Sequence, residues 1–392
     1  MDHKARRHAL LSASSAHRWL ACTPSARLEE GFPDNVSEAA EEGTLAHELA
    51  ELKLRNYFHT TDYGKRKMNA DIKKLQKNPL WKAEMMEYTE QYLNYIQEVA
   101  LSEKTPYTAK IEAQVDYSAW AHDGFGTADC ILIRGETVHI FDFKYGKGVP
   151  VSAEENPQMM LYALGALDMY SLLYRMEHFH LHIIQPRIDN ISDWACSREQ
   201  LLEFGEYVKG RAELAWAGSG EFCPGEKQCR FCRARATCHA RAEKNVQLAF
   251  SPDKGKTPPL ISNEDAGWYL SQGEDVKKWL EDLKEWALAE CLAGKEVPGW
   301  KAVEGRGSRE WTDMDAAFGK LVNSGVNEEV LYERKPLTLA QVEKIVGKKL
   351  FQDTVGKYVV KNPGNPALVK ESDKREAITN KITAAEAFKE VN

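Results

Sequence analysis

"GTADCILIRGETVHIFDFKYG", residues 126–146, decides how the chain is read. Two apolar strands flank Gly135-Glu136, yet Asp129 and Asp142 interrupt them and Lys144 follows closely on the second. If Gly135-Glu136 is a two-residue turn, its Gly-X form suits type II′ and sets Arg134 opposite Thr137. Counting back along both strands then puts Asp129 across from Asp142 on one face, with Lys144 projecting to that face two residues further on. Like charges opposite each other destabilise a strand pair, so two ionised Asp here need a cation between them. A hard divalent ion such as Mg²⁺ suits carboxylate oxygens and leaves positions for water and phosphate. A three-residue turn would shift the register and spoil the placement. The bland alternative sets both Asp in solvent at strand ends, with Lys144 as a surface partner; the flanking Phe141 and Phe143 argue for burial instead.

Working outward, "YTAKIEAQVDYSA" (107–119), "FGTADCILI" (125–133) and "TVHIFDFK" (137–144) alternate with period two and predict three consecutive antiparallel strands. Helical patterns precede them. "SASSAHRWLACTPSARLEE" (12–30) suggests a short helix capped by Ser14 or Ser15 and ended near Thr23-Pro24. "EEGTLAHELAELKLRNYF" (41–58) suggests a second with Thr44 as N-cap, and residues 80–101 a third. "SAEENPQMMLYALGALDMYSLLYRM" (152–176) returns to helix, "HFHLHIIQP" (178–186) is a buried strand ended by Pro186, and a further helix spans about 197–217. The fold class is α/β (α+β), with a mixed central sheet flanked by helices. A Cys-rich segment, 223–240, closes this domain at about residue 245. A linker over 246–262 follows, then an extension over 263–392 whose first helix carries an apolar stripe from Val276 to Ala287.

Composition narrows the class. Hydrophobic residues are 43% and charged residues 28% of 392, which excludes global disorder. No run approaches the roughly 18 apolar residues of a membrane span, and the first residues lack the apolar core of a signal peptide, so a cytoplasmic protein is expected. The net charge of −7 argues against a generally basic nucleic-acid binder but allows local patches. One comprises Lys65, Arg66, Lys67, Lys73, Lys74 and Lys77; the other comprises Lys227, Arg230, Arg233, Arg235, Arg241 and Lys244. Either alone is first read as a solvated helix face.

"GTAD" (Gly126 to Asp129), "DFK" (Asp142 to Lys144) and "QMMLY" (Gln158 to Tyr162) together resemble the motif series of RecB-type nucleases in the PD-(D/E)XK superfamily. "GTLAH" puts His47 where that family carries a helix His. The resemblance implies a restriction-endonuclease-like core in which His47, Asp129, Asp142 and the main-chain carbonyl of Phe143 bind Mg²⁺ or Mn²⁺. Glu112 would add a carboxylate. Lys144 would orient or activate the attacking water. Gln158 and Tyr162, four apart on one helix face, would contact metal-bound water or the strand being cut.

"CRFCRARATC" gives Cys229, Cys232 and Cys238, three thiols on a tight loop. A tetrahedral site needs a fourth ligand, for which Cys223 and His239 are local candidates and Cys22 a distant one. RecB-type nucleases with an iron–sulfur cluster, such as AddB and the CRISPR adaptation nucleases, carry one Cys ahead of the nuclease motifs and a Cys-x2-Cys-x5-Cys trio behind them. Cys22 and the trio resemble that layout, which implies a structural [4Fe–4S] cluster clasping the N-terminus to the end of the domain. Zn²⁺ is the competing occupant, since spacing does not distinguish the metals. Cys130, Cys196 and Cys291 are expected to be simply buried.

Including "WKAVEGRG" (300–307) and "NPGNPALVKESDKREAI" (362–378), the chain also resembles a phage-encoded family of uncharacterised nuclease-like proteins. The expectation is a metal-dependent deoxyribonuclease, an exonuclease on single-stranded or end-processed DNA in phage replication or recombination, alongside partner proteins of those processes. The rival is a non-catalytic DNA-binding or scaffold protein that retains the fold.

Overall fold

Strands β1 (Thr108–Asp116), β2 (Phe125–Arg134), β3 (Thr137–Phe143), β4 (His178–Gln185) and β5 (Asn190–Ser197) form one sheet in sequence order. β1–β2, β2–β3 and β4–β5 pair antiparallel, whereas β3 and β4 run parallel. A parallel step needs a crossover, and a helix supplies it. The computed structural model describes residues 9–33, 37–102, 104–250, 262–304, 312–325, 327–332 and 338–359. The chain divides into two units, Met1–Val303 and Glu304–Asn392.

In the first unit the main helices are α1 (Glu38–Phe58), α2 (Lys65–Leu75), α3 (Glu84–Leu101), α4 (Pro157–Tyr170), α5 (Arg198–Ala217), α6 (His239–Phe250) and α7 (Asn263–Leu292). Each sheet face buries its own core. On one, Ile131, Ile133, Val138, Ile140, Leu181 and Ile183 pack on α4 and α5. On the other, Cys130, Leu132, Phe141, Phe143 and Ile184 pack on α1 and α3. This double coverage explains why β3 and β4 read as nearly continuous apolar runs.

The turn has the expected length. Arg134 pairs with Thr137, and Gly135 takes φ +55°, which favours glycine. β5 was not anticipated. Its residues alternate between half-buried and exposed along most of its length, and "NISDWACS" mixes polar and apolar types too evenly to stand out as a strand. Helix α1 starts earlier than expected: Ser37 accepts from the Ala40 N–H as N-cap, while Thr44 sits inside the helix with its hydroxyl on the Ala40 carbonyl. Near the N-terminus the helix covers only Ala16–Trp19, and Ser15 makes no side-chain cap bond.

The N-terminal segment is held to the end of α5. Arg211 donates to the Leu20 and Ala21 carbonyls, Arg27 to Trp216 O, and Thr23 to Ser219 O. Helix α7 belongs to the first unit, beyond the expected boundary at 245. Buried Arg241 of α6 reaches Asp282 and Asp275 of α7, each at 2.8 Å. Of the expected linker, residues 251–261 lie outside the described residues.

In the second unit, α8 (Met314–Asn323) is capped by Asp313, α9 (Leu339–Val346) by a Thr338–Gln341 capping box, and α10 (Lys348–Val355) follows. The stretch 362–378 lies outside the described residues. Among the described residues no helix is long and apolar enough to cross a membrane.

Candidate functional site

The two aspartates end up beside each other by a route the hairpin count does not give. Paired residues of β2 and β3 run from Arg134↔Thr137 to Cys130↔Phe141 and stop there. At the next position the Phe143 N–H donates to Asp129 Oδ2 at 2.7 Å. Side-chain alternation also slips here. Ala128 shares a core with Ile131 and Ile133, and on β1 Ala113 and Val115 share that core while Ile111 packs on the other. Glu112, between the paired Ile111↔Cys130 and Ala113↔Ala128, adopts φ +48°, the left-handed region that costs a non-glycine residue energy. The two carboxylates at the slip, Glu112 and Asp129, join His47 of α1: one ligand atom from each lies within 4.8 Å of the others.

Asp142 faces a second set of groups. Its Oδ2 lies 3.0 Å from Lys144 Nζ, and its Oδ1 accepts from Gln158 Nε2 at 3.1 Å. Lys144 Nζ also donates to Gln158 Oε1 at 3.0 Å, and Gln158 Nε2 reaches the Tyr162 hydroxyl at 3.1 Å. Helix α4 supplies both residues, and its start is well specified: Asn156 accepts from the Gln158 and Met159 N–H groups, with Pro157 at the first position. The expected residues His47, Asp129, Asp142, Lys144, Gln158 and Tyr162 are thus all brought together. Phe143 contributes its N–H to Asp129, and its buried ring meets the His47 imidazole edge-on at 5.3 Å.

Electrostatics separates the two carboxylates. Burial works against charge on both. On Asp129 the His47 imidazole, at 3.2 Å, and the Phe143 N–H override it and hold the carboxyl below its ordinary range. On Asp142 burial and the nearby Asp129 charge prevail over Lys144 and push the carboxyl up. Burial likewise opposes charge on His47, but Asp129 holds it up to about 9. Glu112 is pushed to about 8, first by burial and then by Asp129. Burial also raises the Tyr162 phenol. The site as it stands therefore keeps protons on His47 and Glu112 at neutral pH.

Two residues escaped the sequence reading. Tyr92 of α3 is fully buried, packs against Phe143 with tilted rings whose centroids are 4.8 Å apart, and its hydroxyl has no hydrogen-bond partner among the described residues. The charges of Asp129 and Asp142 both act on it. Arg187, 9% exposed in its side chain, binds Glu42 of α1 at 3.0 Å and Glu84 of α3 at 2.7 Å, holding together the helices behind the site. A lone Tyr and a lone Arg carry no spacing signal.

Cys22, Cys229, Cys232 and Cys238 line one small cavity of about 20 Å³. Cys223 is exposed and does not line it. Burial raises the thiols of Cys22, Cys229 and Cys232, the last to about 12. Cys229 Sγ accepts from the Gly225 N–H at 3.4 Å. Among the described residues no three thiols lie within 4.8 Å of one another. Cys130 and Cys196 are buried and Cys291 half-buried.

The basic patches differ. Lys65, Arg66, Lys67, Lys73, Lys74 and Lys77 are exposed on or just beyond α2. The second patch is largely consumed internally: Arg241 and Arg235 bind Asp282, and Arg233 donates to the Phe32 carbonyl.

Over 49% of its length the chain is similar to a solved protein titled "Crystal structure of SSO0001", covering 85% of that protein at 16% identity with a TM-score of 0.22, a likeness too slight to carry an argument. Residues 8–376 match the family described as "Protein of unknown function (DUF2800)", and the chain belongs to that family.

Proposed function

We propose that this protein is a metal-dependent deoxyribonuclease of RecB-like, PD-(D/E)XK type, hydrolysing phosphodiester bonds of DNA with free ends. The observation that carries the reading is the continuous contact Lys144–Asp142–Gln158–Tyr162 lying against the His47–Glu112–Asp129 cluster. One imidazole and two carboxylates form an N/O donor set suited to Mn²⁺ or Mg²⁺. The orphaned Tyr92 hydroxyl beside it fits a place for water or a ligand. His47, Glu112 and Asp129 would hold the ion, with Asp142 beside them, and the ion would supply Lewis-acid activation of phosphate and water.

The chain's own residues account for the rest. Lys144 carries a positive charge to the edge of the site, where negative charge develops on the phosphate. Gln158 and Asp142 fix its position from two sides, and Tyr162 anchors Gln158. The exposed cations along α2 suit the sequence-independent phosphate contacts that such a substrate needs.

For the cysteine cavity we infer a [4Fe–4S] cluster. A zinc tetrad with Zn–S of about 2.3 Å would bring its sulfurs to about 3.8 Å of one another, whereas among the described residues no three thiols lie within 4.8 Å of one another. Cys22 and the trio would then fasten the N-terminal segment to the end of α5 and α6. Incubating end-labelled single- and double-stranded DNA with Mn²⁺, beside Asp142→Ala, tests the nuclease reading. Wild-type protein that binds DNA but cleaves it under no divalent metal would instead favour a scaffold that retains the fold.

A further inference from the structure

β4 begins His178-Phe179-His180-Leu181-His182, with imidazoles at every second position and hence on one sheet face. The parallel register sets His139 of β3 against His180 and Phe141 against His182. His139 Nδ1 and His182 Nε2 stand 3.1 Å apart. The other nitrogen of His182 faces the Tyr95 hydroxyl of α3, also at 3.1 Å. His180 stacks on His139 with ring centroids 4.9 Å apart, and Phe141 stacks on His182 at 4.6 Å. His182 is buried; His139 and His180 are half-buried. None of these rings belongs to the nuclease constellation, since His139 precedes Asp142 by three positions on β3, roughly 10 Å along the strand.

We propose that His139 and His182, joined by His180, bind one borderline transition-metal ion of the Zn²⁺, Co²⁺ or Ni²⁺ class, at a site separate from the carboxylate cluster. Two imidazole nitrogens on a tetrahedral ion with Zn–N near 2.0–2.1 Å stand about 3.3 Å apart, close to the observed separation. A ligating histidine usually has its second nitrogen fixed by an outer partner, and Tyr95 occupies that place for His182. With His182 donating Nδ1–H to Tyr95, its Nε2 lone pair points at His139 Nδ1. A single shared proton, or a metal ion, must then lie between the two nitrogens. Burial holds His139 at about 4 and His182 at about 3, so both rings are neutral and able to ligate at neutral pH. Among the described residues only His47, Glu112 and Asp129 bring three donors within 4.8 Å, so the pair is a two-donor site as it stands. Binding turns His180 inward from its stacked position, and water completes the coordination. Imidazole donors favour borderline ions over Mg²⁺, which keeps the two sites chemically distinct.

The test is equilibrium dialysis of the tag-free full chain against Zn²⁺ with excess Mg²⁺ present, followed by metal counting. Wild type should hold one more equivalent than His182→Asn, and Asp129→Asn should retain that equivalent. Should His182→Asn fail to fold, the half-buried His180→Gln serves as the second variant and should weaken the same equivalent at least tenfold. Co²⁺ bound there should show ligand-field bands that disappear in His180→Gln. Equal zinc content and affinity in wild type and either folded histidine variant would overturn the proposal.

Discussion

His47 Nδ1 lies 3.2 Å from Asp129 Oδ1, and this contact overrides the burial that works against charge on both groups. It holds His47 at about 9, while Glu112 sits at about 8. A metal ion must expel those protons. Affinity for Mn²⁺ should therefore rise with pH up to about 8–9, by about tenfold per unit for each proton displaced. Calorimetric titration in two buffers of different ionisation enthalpy measures the protons released, and release of none would contradict the assignment. Without metal the sign reverses. His47 is raised above its ordinary 6.5, so its ion pair supports the fold fully below that value and the support is lost as pH rises through about 9.

Gly126 leaves room for Tyr162. A Cβ at position 126 would meet Tyr162 Cε1 at 2.7 Å. Gly126→Ala should displace the ring, break its 3.1 Å contact with Gln158, and cost about 1–3 kcal/mol of stability. Cleavage should fall at least tenfold at temperatures where the variant remains folded. Full activity in the folded variant would show that Tyr162 need not be where it is.

Arg241 and Asp282 form a buried ion pair that fastens α7 to α6. Asp282→Ala leaves the guanidinium with Asp275 as its remaining carboxylate partner, and urea unfolding should register a loss of about 1–3 kcal/mol. Replacing the guanidinium together with both its carboxylates, Arg241→Met with Asp275→Leu and Asp282→Leu, should cost much less. A loss below about 1 kcal/mol in Asp282→Ala would mean that α7 is held by other contacts.

The thiol cavity predicts a coloured protein. Anaerobically purified wild type should absorb in the visible, and Cys232→Ser should lose that absorbance and expose the N-terminal segment to proteolysis. A colourless protein with stoichiometric zinc would remove the cluster.

The hairpin was readable because Gly135 needs a positive φ and because strands have a strict period of two: turn length alone fixed the register from Arg134↔Thr137 to Cys130↔Phe141. The sequence offers Glu112 as an added carboxylate, but nothing in "AKIEAQV" announces that this glutamate is left-handed and that two strands slip together there. The count therefore put Asp142 opposite Asp129, whereas the close three-donor set is His47, Glu112 and Asp129. Thr44 looked like a helix start because its side chain is a good cap, but Ser37, seven residues earlier, makes the cap bond. The Cys-rich patch looked like a basic surface because its acidic partners lie on α7, 34–47 residues away in sequence. Its arginines are structural for a reason that only the packing reveals.

Cleavage of DNA labelled separately at its 5′ and 3′ ends, with Mn²⁺ and with wild type beside Asp142→Ala, tests the central claim most directly. The account predicts metal-dependent shortening from a free end by wild type and its loss, by at least a hundredfold, in a variant that still folds and still binds DNA. Intact substrate with folded wild type under every divalent ion tried, or equal cleavage by Asp142→Ala, would contradict it.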